Sequence, residues 1–288
     1  MSNPPTQHPD RWCLACTNLG VRRDRRLAVH DVSLDVHPAE CVSLVGPNGS
    51  GKTTLLLALL GILPPATGSV SLNGHDLARL PARKRGRFAA YVPQVLESVP
   101  AFRVYDIVAA GRHPHVSPLR ALSGADHAVI RNALDRCGLS ALADRPFNAI
   151  SGGERQKTLI ASAIAQDPAL MFLDEPNTAL DPAYQIELVR ILRDWHSAGR
   201  GLVLISHDLQ LPAALGGRVV ALREGRLVAD GPADEILQPE RLGTIYDASF
   251  QVATTADGAR IVLPNWWHTP QPPAPRSTTP SQAPDNTK

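Results

Sequence analysis

The chain has 288 residues, 43% of them hydrophobic, a formal net charge of +2 and four cysteines. That is enough apolar material for one large core or two small ones, and the near-balanced charge gives no reason to expect a nucleic-acid partner. No apolar run approaches the roughly 18 residues of a membrane span, and no charged-then-apolar leader opens the chain, so the reading is a protein that is not exported and forms no transport path itself.

Residues 1–10 read as a polar, proline-bearing tail. Cys13 and Cys16 form a single C-x-x-C without a second pair, and residues three apart on a strand point to opposite faces. All four cysteines are therefore expected as reduced structural thiols. The basic runs Arg22-Arg23-Asp24-Arg25-Arg26 and Arg83-Lys84-Arg85 are expected as solvated faces.

Cys41–Val45 is a short, β-leaning apolar run, and Thr54–Leu60 is apolar and helix-favouring. Between them Gly46-Pro47-Asn48-Gly49-Ser50-Gly51-Lys52-Thr53 fits G-x-x-x-x-G-K-[ST]. A strand, a glycine loop and a helix N-terminus make an anion cradle, because free backbone N–H groups and the helix dipole face the same point. Lys52 is placed to reach β- and γ-phosphates, and the Thr53 hydroxyl to coordinate magnesium. Asn73-Gly74 marks a hairpin turn.

Residues 94–154 read as mostly helical. Near their end Ser151-Gly152-Gly153-Glu154-Arg155 opens a helix, with Ser151 as N-cap and Glu154 at the capping-box position. Capping alone does not require two glycines; without side chains, Gly152 and Gly153 let backbone N–H groups approach an anion.

Leu170-Met171-Phe172-Leu173 reads as a buried parallel strand ending in Asp174-Glu175-Pro176. Ligands of α/β sheets sit at the C-terminal ends of strands. Asp174 is placed to hold magnesium, and Glu175 to polarise an attacking water. Leu202–Ile205 is a second such strand, ending in Ser206-His207-Asp208, which puts His207 at the same sheet edge as a γ-phosphate sensor. Val219–Leu222, a turn at Arg223-Glu224-Gly225 and Arg226–Ala229 suggest a hairpin. From Pro264 to Lys288 Pro, Ser, Thr and Gln dominate, as in disordered tails; Trp266 and Trp267 at its start are candidates for packing back or touching a partner.

Taken together these motifs resemble the ATP-binding subunit of an ABC transporter. The likeness rests on Gly46–Thr53, Gln94 in Tyr91-Val92-Pro93-Gln94, Ser151–Arg155, Leu170–Glu175, Ala179-Leu180-Asp181 and His207, all in the family's order. It covers about residues 11–263. The resemblance implies an α/β P-loop NTPase core with a parallel sheet, an antiparallel β subdomain and an inserted helical subdomain at about 94–154. It implies ATP and Mg2+ as ligands. Gly46–Thr53 and Thr54 would bind ATP in one copy, and Ser151, Gly152, Gly153, Glu154 and Asp181 would close on it from a second copy. Glu175, His207 and Gln94 would be catalytic; Thr53, Gln94 and Asp174 would hold the magnesium. The implied partners are a second copy, transmembrane permease subunits and, indirectly, a solute-binding protein, with the chain held at the cytoplasmic face of the inner membrane.

The sequence departs from the family pattern in places. Arg23 stands where an aromatic residue usually stacks on adenine, and a guanidinium plane can also stack on a base. Ile150 and Glu154 replace the commoner Leu and Gln. The stretch Val104–Val108 with Gly111-Arg112-His113-Pro114-His115, and the ending from Leu242 to Pro264, are similar to ATPases of ferric-siderophore, haem and vitamin B12 importers. His113 and His115 are expected as surface residues near the permease groove, since one His-x-His is a poor metal site. Ferric siderophore is the expected cargo, with haem or vitamin B12 second. The rival class is a soluble ABC-type ATPase of DNA repair or chromosome maintenance. Such proteins need a long coiled coil or large clamp domains, and residues 94–154 are too short and too broken by Pro and Gly for sustained heptads. Each motif occurs once, which excludes a tandem ATPase.

Overall fold

The computed structural model describes residues 11–94, 101–117, 120–178, 180–256, 258 and 260–266. The tails at 1–10 and 267–288, Trp267 and Ala179 lie outside the described residues. Strands β1 (Leu14–Arg23) and β2 (Arg26–Val36) pair antiparallel. β3 (Cys41–Val45) leads through the glycine loop into α1 (Lys52–Leu59). β4 (Thr67–Leu72) and β5 (His75–Asp76) turn at Asn73 and Gly74, whose φ values of 52° and 76° suit the positive-φ two-residue hairpin. These strands form a four-stranded antiparallel sheet in the order β2-β1-β4-β5.

After α2 (Ala82–Phe88) and β6 (Ala89–Val92) come α3 (Val104–Ala110), α4 (Gly124–Arg136) and α5 (Gly152–Ala165). They pack on one another, and α5 joins that cluster through Leu159–Ala165, so helix packing runs past residue 154 to Ala165. A largely buried ion pair, Arg112 Nε to Asp126 at 2.9 Å, clamps this layer, and Arg112 also donates to the Ala165 carbonyl at 2.8 Å.

The chain continues as β7 (Leu170–Asp174), α6 (Pro182–Ser197), β8 (Gly201–Ile205), α7 (Gln210–Leu215), β9 (Arg218–Arg223) and β10 (Arg226–Pro232). α8 (Ala233–Ile236), α9 (Pro239–Tyr246), β11 (Phe250–Thr254) and β12 (Arg260–Pro264) follow. The main sheet has the order β10-β9-β3-β8-β7-β6, parallel except for the edge strand β10. The turn between β9 and β10 again uses two positive-φ residues, Glu224 at 51° and Gly225 at 76°.

β7 has no polar face because both of its faces are covered. Leu170 and Phe172 join the core around α1 and the antiparallel sheet, whereas Met171 and Leu173 join the helical side. Each such buried side chain stabilises the fold by about 1.5–3 kcal/mol. The loops at the strand ends are thereby held on a rigid platform.

Several expectations change at the surface. Arg83 and Lys84 are exposed as expected, but Arg85 is half-buried and donates to the Gly61 carbonyl at 2.7 Å. Arg83 and the neighbouring Arg87 reach the carbonyls of Val116 and Pro114, so this solvated face also ties α2 to its neighbours. His115 is half-buried, bonded to the Gln166 carbonyl at 2.8 Å, and burial lowers its pKa. Trp266 does not pack back; it is 71% exposed. All four cysteines are free, with Cys16 buried and Cys13 half-buried.

Candidate functional site

The glycine loop joins β3 to α1 with backbone conformations its sequence demands. Gly46 and Gly51 have φ of 135° and 97°. A Cβ on Gly46 would lie 2.0 Å from the Leu222 carbonyl oxygen, and one on Gly51 2.4 Å from that of Ala28. Gly49, in contrast, has positive φ but nothing within 4 Å of its would-be Cβ, so it faces open space. The first i→i−4 bond of α1 is from the Leu55 N–H to the Gly51 carbonyl, 2.8 Å. The N–H groups of Lys52, Thr53 and Thr54 precede it, as the orphan donors of a helix N-terminus. Thr54 itself is buried under the loop.

Lys52 is 5% exposed and turns its ammonium back into the loop. It donates to the carbonyls of Gly46 and Pro47, both at 2.8 Å, and lies 3.4 Å from Ser50 Oγ. Burial lowers its pKa, opposed by the negative charges of Glu175 and Asp174. A buried cation whose shortest contacts are neutral carbonyl dipoles is suited to exchange them for anionic oxygens.

The carboxylates arrive at the end of β7. Thr53 Oγ1 donates to Asp174 Oδ1 at 3.4 Å. Burial raises the Asp174 pKa, the Thr53 hydrogen bond works against that rise, and the charge of Glu175 adds to it. Two hard oxygens so placed suit Mg2+. Glu175 has φ 49°, an uncommon conformation for a non-glycine residue. Its N–H bonds the Ile205 carbonyl at 3.0 Å, which locks the end of β7 to β8. Its carboxylate meets three side chains: Gln94 Nε2 at 2.5 Å, Thr178 Oγ1 at 3.1 Å, and His207 Nε2 in a short contact. Gln94, Asp174, Glu175 and His207 therefore converge on the phosphate loop although they come from three separate stretches of chain.

Ser151, Glu154 and Asp181 do not join this cluster. Ser151 and Glu154 form a reciprocal capping box: the Glu154 N–H donates to Ser151 Oγ at 3.2 Å, and the Ser151 N–H to Glu154 Oε2 at 2.8 Å. That anchoring holds the Glu154 carboxyl below its usual pKa. Asp181 caps α6, accepting from the Tyr184 N–H at 3.0 Å. The two glycines differ. A Cβ on Gly153 would lie 2.8 Å from the Tyr184 ring, so packing alone accounts for that glycine. Gly152 has nothing within 4 Å and carries no such constraint.

Three supports were not read from the sequence. Tyr246 OH accepts from the Gly46 N–H at 2.9 Å, across 200 positions of chain. Burial pushes the Tyr246 phenol up to about 12, keeping it neutral. The β9–β10 turn braces the loop from below, with the Gly225 N–H donating to the Ser50 carbonyl at 3.1 Å. Thr178 adds the third contact to Glu175. The Tyr246 and Gly225 contacts arise from tertiary packing and carry no local signal, whereas Thr178 stands only three residues past Glu175, where its hydroxyl beside the acidic pair was a readable cue.

This combination of fold and loop defines an ABC-type ATPase. The ABC transporter family model matches residues 29–178, and the chain belongs to that family and is an ATP hydrolase. Among its relatives, the hemin import ATP-binding protein HmuV of Rhodococcus jostii (strain RHA1) is 37% identical over 262 residues, covering 91% of this chain and 89% of that protein. The iron(3+)-hydroxamate import ATP-binding protein FhuC of Bacillus subtilis (strain 168) is 33% identical over 242 residues, covering 84% and 90%. Among solved structures, one described as a metal-chelate type ABC transporter in an inward-facing conformation superimposes with a TM-score of 0.77 at 30% identity, covering 89% of this chain and 98% of that one. Among the described residues no helix is long and apolar enough to cross a membrane.

Proposed function

We propose that this chain is the ATP-hydrolysing subunit of an importer for a metal chelate, a ferric siderophore first. The observation that carries the enzymatic part is the convergence of Lys52, Thr53, Asp174, Glu175, Gln94 and His207 around one glycine loop. ATP is the substrate. Its β- and γ-phosphates take the place of the Gly46 and Pro47 carbonyls at Lys52. Gly46–Thr54 supply the backbone cradle.

Thr53, Asp174 and Gln94 are the residues that would hold Mg2+, which supplies charge neutralisation at the phosphates when bound. Glu175 orients a water and accepts its proton as the water oxygen bonds to the γ-phosphorus; the bond from that phosphorus to the ADP oxygen breaks. His207 positions the γ-phosphate and steadies Glu175. Ser151, Gly152, Gly153, Glu154 and Asp181 serve the ATP of a second copy, so that two nucleotides lie between two chains. The engagement of Ser151 and Asp181 in caps away from their own loop supports this division.

Residues 11–263 form the ATPase unit in this reading, and the helices from about residue 94 to 154 grip permease subunits at the cytoplasmic face of the inner membrane. A solute-binding protein acts upstream. The Bacillus relative's hydroxamate name supports the siderophore reading; the Rhodococcus relative's hemin name supports haem as the second.

The test is uptake in a strain lacking this protein, complemented with wild type or Lys52→Ala, using radiolabelled ferric hydroxamate and, separately, radiolabelled haem. Ferric-hydroxamate uptake restored by wild type alone supports the first reading. Restoration of haem uptake alone moves the assignment to haem. Restoration of neither overturns the ferric-hydroxamate and haem readings, moves the assignment to vitamin B12 and leaves the ATPase assignment in place.

A further inference from the structure

The half of the C-x-x-C pair that faces outward has companions the sequence did not reveal. Cys13 sits just before β1, and Asp35 and His37 lie at the end of β2. The register pairs Leu14 with Val36 and Ala15 with Asp35, which brings Cys13 level with His37 on the neighbouring strand. Asp35 and His37 are two apart and share one face; Leu34 and Val36 are buried on the other. Cys16 belongs to that inner face and is buried, so the pair is split across the sheet. On the outer face one sulfur, one imidazole nitrogen and one carboxylate oxygen lie within 4.8 Å of one another.

We propose that Cys13, Asp35 and His37 form a binding site for a transition-metal dication, zinc above all, on the outer face of the antiparallel sheet. A mixed S, N and O donor set matches zinc, whereas magnesium and calcium take oxygen donors. Tetrahedral zinc with its usual bond lengths needs donor atoms about 3.3–3.8 Å apart, so closing the set is a matter of side-chain rotation. Three donors leave a fourth position open to solvent.

The surroundings hold these donors in place. The Cys13 N–H donates to Asn73 Oδ1 and the Asn73 N–H to the Cys13 carbonyl, both at 2.8 Å. The His37 N–H donates to Glu40 Oε2 at 2.9 Å. His37 Nε2 and Asp35 Oδ2 are in direct contact, a pair that an entering ion would part and bridge. Arg218 anchors the other side: it donates to the Asp35 carbonyl at 2.9 Å and to Glu40 Oε1 at 3.0 Å, with Asp35 Oδ1 at 4.0 Å. Such outer contacts orient metal ligands. Residues 37–40 form the turn into β3, the strand that feeds the phosphate loop, so a bound ion would tie that turn to β1.

The test uses the full chain, stripped with chelator and free of nucleotide. Zinc is titrated by calorimetry into wild type, Cys13→Ser and His37→Gln. The expected result is one equivalent of zinc in wild type, with affinity at least about tenfold weaker in each variant. Cobalt substituted for zinc should give a thiolate-to-metal charge-transfer band that Cys13→Ser abolishes. Melting temperature should rise with zinc in wild type and stay flat in Cys13→Ser. Magnesium alone should give none of these signals. Both variants should keep wild-type basal ATPase, which reports correct folding. Failure of wild type to bind one equivalent, or an unaltered cobalt band in Cys13→Ser, would overturn the site.

Discussion

The phosphate loop and the Ser151–Glu154 segment are both glycine-rich helix openings, yet they are built in opposite ways. The loop is bound into its own chain from every side: Tyr246 reaches Gly46, Gly225 reaches Ser50, and Lys52 folds back on two carbonyls. The Ser151 segment is satisfied locally by a capping box, and Gly152 meets open space. One is tied into distant parts of its own chain; the other is a helix end satisfied by its own cap, the segment we assign to the nucleotide of a second copy. The difference teaches that glycine content alone does not distinguish a loop shaped by its interior from one kept clear for an outside partner.

The largest blow to that contrast should come from Lys52→Ala. Removing the buried ammonium should abolish ATP binding by calorimetry; retained nanomolar binding would refute the role of the loop. Next is Glu175→Gln, expected to slow turnover by about 10²–10⁴-fold while sparing binding. Light scattering should then find an ATP-stable dimer, and a persistent monomer would contradict a site shared between copies.

A finer cut separates the two signature glycines. Gly153→Ala drives a methyl into Tyr184 and should cost about 1–3 kcal/mol in urea denaturation. Gly152→Ala should leave stability within about 0.5 kcal/mol yet lower ATPase activity. Equal effects in both assays would dissolve the distinction. The smallest effect is expected from Tyr246→Phe, which removes the acceptor of the Gly46 N–H and should cost about 1 kcal/mol, with a correspondingly weaker hold on nucleotide.

Much of this was legible from local pattern. The apolar runs at Cys41–Val45 and Leu170–Leu173 became β3 and β7 because strands buried on both faces need continuous apolar sequence. Asn73-Gly74 and Gly225 announced their turns through their tolerance of positive φ, whereas Glu224 takes φ 51° without that advantage. The capping box at Ser151 was equally local. What escaped was long-range. Nothing near Tyr246 says that its hydroxyl reaches Gly46, and nothing near Arg83 and Arg85 says that backbone carbonyls await them. Spacing along the chain links Cys13 only to Cys16; strand register, not spacing, brings Asp35 and His37 beside it.

The left-handed backbone of Glu175 has an evolutionary corollary. A non-glycine residue at φ 49° carries a conformational cost of roughly 1–2 kcal/mol. Glycine would relieve that cost, and asparagine would soften it. A library of variants screened for thermostability alone should therefore drift toward those residues at position 175, and the hardier proteins it returned would have lost the carboxylate to which we assign the attacking water. At this one position, durability and catalysis select for different amino acids.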